Sequence, residues 1–123
     1  MTFTWREHAD ALDEYRAAAQ WYEAKRPGWG DVFMDAVDLA IESILDPSIT
    51  WGFYRDRQRT PQVYSRSVAG FPFDIVYLRI DDEIYVVAYA HERRRPGYWA
   101  QRLSDRPLRH LRRTLVSRSM TIS

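Results

Sequence analysis

The span His91-Glu92-Arg93-Arg94-Arg95-Pro96-Gly97-Tyr98-Trp99 gathers more reactive chemistry than any other part of the chain. An imidazole, three consecutive guanidiniums and two large rings follow an apolar run and stop at a proline–glycine pair. The guanidinium fork binds phosphate or carboxylate in a bidentate way. Tyr98 and Trp99 offer faces on which a nucleic-acid base stacks. If the target is RNA, His91 suits the base that takes the ribose 2′-OH proton, because its ordinary pKa lies near neutrality. Arginines then hold the charge on the phosphorane. Arg66 and Arg79, on neighbouring strand candidates, are expected on the same side of the sheet. The competing reading is plainer: the arginines form a solvated loop, and Tyr98 and Trp99 pack as core.

Other chemistries find little in the sequence. No glycine-rich loop precedes a Lys-Ser/Thr pair, and no serine sits on a Gly-x-Ser-x-Gly elbow. His8, His91 and His110 lack paired-ligand spacing, and the chain has no cysteine. Neither a metal nor a cofactor is therefore expected. Without a membrane-length apolar run or a secretory leader, the simplest expectation is a cytoplasmic protein with no membrane partner.

A net charge of +1 hides an asymmetry. Residues 1–50 carry 10 acids and 4 bases, whereas the remainder carries 14 arginines and 7 acids. Lys25 is the sole lysine. A basic half built from arginine suits anion recognition, or it reflects arginine replacing lysine throughout.

The elements that must position the cluster follow from periodicity. "TFTWR" (2–6) alternates and reads as a short edge strand. From His8 to Lys25, Leu12, Tyr15, Ala19 and Tyr22 recur at helical spacing, with Asp10, Asp13, Glu14 and Glu23 largely off that stripe. "KRPGWG" (25–30) stops the helix. A second helix is expected from about Asp31 to Leu45, ended by Asp46-Pro47. Two helices joined this closely form an antiparallel hairpin. Residues 48–61 read as loop. Strands are expected at 62–68, 73–80 and 83–90, the last two joined at Asp81-Asp82 and buried centrally. The fold class is α+β: an N-terminal strand and a helical hairpin packed on a small, mainly antiparallel sheet. Residues 1–102 form this domain. Residues 103–123 form a basic C-terminal extension, either a mobile terminus or a short helix.

As a set, these segments resemble the RelE/ParE superfamily of toxins from type II toxin–antitoxin modules, often called plasmid stabilisation proteins. The matching pieces are "AAAQWYEAKRPGWGDVFMDAVDLAI" (17–41), Asp46-Pro47, "FPFDIVYLRIDDEIYVVAYAHERRRPGYW" (71–99) and Arg102. The resemblance implies a growth-inhibiting toxin neutralised by a cognate antitoxin, as a homodimer or a toxin–antitoxin hetero-oligomer. RelE-like members cleave mRNA on the ribosome, and ParE-like members poison DNA gyrase. A degenerate member would only bind its antitoxin. Arg93 matches a phosphate-contacting arginine of the nuclease branch, so Arg93, Arg66, His91 and Tyr98 are the candidate catalytic residues. Arg79, Arg94, Arg95 and Trp99 are the candidate target contacts. Asp74 stands where the nucleases carry a second arginine, Trp99 where a tyrosine is common, and Arg66 replaces the lysines of their second strand.

Overall fold

Pro27 cannot continue a helix, and Gly28 turns the chain at φ +86°, a region that glycine enters without strain. Around this corner the computed structural model, which describes residues 3–105, folds helix α1 (Ala9–Lys25) back on helix α2 (Trp29–Leu45). Glu23, expected on a solvated face, instead caps α2. Its carboxylate accepts from the Gly28 N–H at 3.0 and 3.1 Å and from the Gly30 N–H at 3.1 Å. An acid at a helix N-terminus satisfies free amides and complements the helix dipole. With that cap supplied from α1, α2 begins two residues before the expected Asp31.

Gly30 lets the helices approach. A Cβ there would lie 2.7 Å from the Ala19 carbonyl oxygen and 3.0 Å from Glu23 Oε1. Alanine is the better helix former by about 1 kcal/mol, but a backbone carbonyl cannot move aside. Gly30→Ala is expected to destabilise the protein by about 2 kcal/mol, the cost of overpacking. Urea unfolding measures this, and an unchanged midpoint would show that the hairpin can part without loss.

The sheet has order β1-β5-β4-β3-β2, with β1 (Thr4–Glu7), β2 (Gly52–Phe53), β3 (Tyr64–Ser67), β4 (Phe73–Ile80) and β5 (Glu83–His91). Only β1 pairs in parallel, placing Thr4 opposite Glu83 and Glu7 opposite Val86. The other three pairings are antiparallel, so the mainly antiparallel sheet and the central place of β4 and β5 agree with the sequence reading. Residues 48–61 are not wholly loop: they hold β2 and a short 3-10 turn, Tyr54–Asp56. The strand expected at 62–68 is confined to Tyr64–Ser67. The basic extension from residue 106 onward lies outside the described residues.

Two cores cover the two faces. The helices bury one face with Phe33, Ile41, Ile75, Tyr77, Val86 and Tyr89, among others. The outer face is closed by Val63, Val76, Leu78, Val87 and Trp99, the last supplied by the segment after β5. A bulge in β5 shifts the phase between them. Tyr77 opposes Val86 and Val76 opposes Ala88, so Val87 is the extra residue. Val87 and Ala88 both join the outer core, and Tyr89 returns to the helix side.

β1 and α1 meet at His8, whose Nδ1 accepts from the Asp10 N–H at 3.0 Å and caps α1. With Nδ1 as acceptor, the neutral ring carries its proton on Nε2, 2.9 Å from Asp105 Oδ2. The last described residue is thus held at the start of α1. Among the described residues, no helix is long and apolar enough to cross a membrane.

Candidate functional site

Beyond Val86 the neighbouring strand β1 has ended, yet β5 runs on to His91. Backbone groups at such an edge need other partners. Two side chains supply them. The Tyr89 N–H donates to Glu14 Oε1 at 3.1 Å, and Arg102 donates to the Val87 carbonyl at 2.9 Å. The same two side chains join each other through a pair of 3.1 Å bonds, Arg102 Nη1 to Oε1 and Nη2 to Oε2. Tyr98 completes the network by donating its hydroxyl to Glu14 Oε2 at 2.7 Å.

This network sets the protonation of its members. Burial, followed by the hydrogen bond and charge of Glu14, raises the Tyr98 phenol well above its ordinary value. For Arg102 burial acts against the charge, but the hydrogen bonds and charge of Glu14, with Tyr98 and Asp10, together outweigh it and raise the pKa. Tyr98 is therefore a committed donor, poorly suited to take a proton.

Past His91 the chain turns: the Arg94 N–H donates to the His91 carbonyl at 3.0 Å. The His91 ring stands edge-on to Phe73, with Nδ1 accepting from the Arg93 N–H at 3.0 Å. That bond makes the neutral ring an Nε2–H donor, whereas the general-base role needs a free lone pair. Arg93, Arg94 and Arg95 are exposed, and none is ion-paired among the described residues. The Arg94 guanidinium lies 3.9 Å over the Tyr98 ring. Gly97, at φ +78°, then reverses the chain so that Trp99 enters the outer core.

Two hollows flank this turn, sharing His91, Glu92, Arg94 and Tyr98. On the helix side lies a groove of about 800 Å³ between α1, the turn at Gly70–Phe73 and the arginine segment. On the outer side lies a pocket of about 250 Å³, bordered by Arg55, Asp74, Arg94 and Arg95. Asp74 accepts from the Ser67 hydroxyl at 3.0 Å. Arg55 sits at φ +51°, a costly backbone for a non-glycine residue.

The sequence-predicted residues divide accordingly. Arg93, Arg94, His91 and Tyr98 come together on the groove, and Arg94 and Arg95 also border the outer pocket. Arg66 does not join them: its guanidinium is fixed on the helix side by Ser43 Oγ at 2.5 Å and the Thr50 carbonyl at 3.4 Å. Arg79 does not join them either. It opposes Ile84 at the far end of the β4–β5 pair, bonded to the Asp81 carbonyl at 2.7 Å and lying over Phe3. Trp99 is 1% exposed, edge-on to Tyr54, and presents no face to a base. Sequence reasoning passed over Glu14, although its position between buried Ala11 and Ala18 was a signal. It passed over Arg55 as well, where no local signal exists.

Comparison with protein-family models, with curated proteins and with solved structures finds no match. The chemistry available is thus argued from geometry alone. Three guanidiniums without ion pairs among the described residues, with an imidazole N–H beside them, can hold an anion. Of the four candidate catalytic residues one is elsewhere, one is a committed phenol, and one is a donor.

Proposed function

We propose that this chain is the growth-inhibiting toxin of a type II toxin–antitoxin pair and that it acts by contact, as ParE-like toxins do on DNA gyrase. The observation that carries the reading is the row Arg93–Arg95: exposed and without ion pairs among the described residues, at the end of a sheet backed by the helical hairpin. Such a row binds an acidic surface in a fixed register. A cognate antitoxin with an acidic segment would cover the same guanidiniums and silence them. What weighs against nuclease action is that Asp74 stands where that branch carries its second arginine, that Arg66 is tied to Ser43 away from the arginine row, and that His91 Nδ1 and the Tyr98 hydroxyl already hold hydrogen bonds.

Expression without an antitoxin tests this. The chain is expected to stop growth, inhibit supercoiling by gyrase and leave mRNA intact. The variant with Arg93, Arg94 and Arg95 each changed to Glu should lose at least about tenfold in potency, since like charges replace unlike ones. Discrete cuts in ribosome-bound mRNA would overturn the contact mechanism in favour of nuclease action. Harmless expression of the wild-type chain would leave antitoxin binding as its sole function.

A further inference from the structure

The helix-side groove has two unlike ends. Glu14 marks one, joined through Tyr98 to Arg94. Trp21 and Tyr22 mark the other, where Tyr22 stands edge-on to both Trp29 and Phe71 at 4.9 Å. Tyr22 lies eight positions beyond Glu14 on α1, a span of about 12 Å at the helical rise. Between them α1 presents only Ala17 and Ala18, and these small side chains leave the space open. The Glu14 charge is already matched by Arg102 and Tyr98. Glu92 is exposed at the rim, leaving one carboxylate against the two guanidiniums of Arg93 and Arg94.

From this arrangement we infer that the groove is a binding site for an aromatic carboxylate, a free small molecule with a rigid apolar body and one anionic head. The head sits on Arg93 and Arg94, whose forks match a carboxylate. The body lies along Ala17 and Ala18 with its far ring among Trp21, Tyr22, Trp29 and Phe71, where edge-to-face contacts are available. A concave, mostly apolar site with a few polar groups at one end is the usual form of a small-molecule pocket. The inference does not rest on the toxin reading, and its test makes no use of growth or toxicity.

Biphenylcarboxylate is the probe, followed by calorimetry and by amide chemical shifts of the full chain. Binding should shift the amides of Ala17, Ala18, Phe71, Arg93 and Arg94. Uncharged biphenylmethanol should bind at least tenfold more weakly. The Arg93→Ala, Arg94→Ala double variant should lose at least tenfold for the carboxylate with its thermal midpoint unchanged. Ala17→Trp should fill the groove and abolish binding of both probes. Equal affinity for the acid and the alcohol overturns the inference. So does undiminished binding by either variant, absence of binding, or shifts that map away from the groove.

Discussion

Trp99→Ala is expected to cost about 3–5 kcal/mol of stability, the range for removing a buried large aromatic side chain. That is a large part of the 5–15 kcal/mol typical of a whole domain. Among the described residues, the outer face of the sheet is covered by the segment after β5, including Leu103 of the short 3-10 turn Ala100–Leu103, and not by an α-helix. Trp99 is the largest side chain closing that face, packed with Val63, Val76, Leu78 and Val87 and edge-on to Tyr54. Alanine there leaves a cavity that neighbouring strands, fixed by their ladder, cannot collapse to fill. Urea unfolding should show a midpoint far below that of the native chain, with Trp99→Phe intermediate. A contact residue would behave differently, losing partner binding at unchanged stability. That result would return Trp99 to the target-contact role suggested by its place in the sequence.

Glu14→Ala should be nearly as damaging. The carboxylate accepts from the Tyr89 N–H, the Tyr98 hydroxyl and two nitrogens of Arg102. The side chains of Glu14 and Arg102 are only 17% and 15% exposed. Removing one partner of a well-shielded pair leaves the other charge and its donors unmatched, which costs about 3–5 kcal/mol when burial is complete. The partial exposure here lowers the expectation to about 2–4 kcal/mol. For a domain of this size that corresponds to a fall of roughly 10–20 °C in Tm. Arg102→Ala should cost a comparable amount, and the double variant much less than the sum, because the two side chains act as one unit. Additive losses in that cycle would dismiss the pair as the element that holds the end of β5.

Local patterns made much of the fold readable in advance. The α1 stripe, the Pro27-Gly28 stop and the Asp81-Asp82 turn act over a few residues, and each falls where the sequence places it. β2 escaped because a strand of two residues is defined by its partner β3 rather than by a pattern of its own. The bulge escaped because β5 is apolar on both faces, so a change of phase leaves no mark in its composition. Arg79 is a different kind of miss. Antiparallel pairing across Asp81-Asp82 already sets it opposite Ile84 and remote from His91, and register alone could have excluded it. Arg66 could not have been excluded so simply. Its tie to Ser43 joins β3 to α2, a contact between residues distant in sequence. At the site, residue types identified the arginine segment, but the commitment of Tyr98 as a donor depended on Glu14, far away on α1.

The bond between His8 and Asp105 ties the last described residue to the junction of β1 and α1. The Tyr85 hydroxyl also donates to the Asp105 carbonyl, at 3.2 Å. From Tyr85 to His91 is six residues of strand, about 20 Å at the usual rise. The segment after β5 thus returns as a strap along the sheet, from the arginine row by way of Arg102 to the junction of β1 and α1.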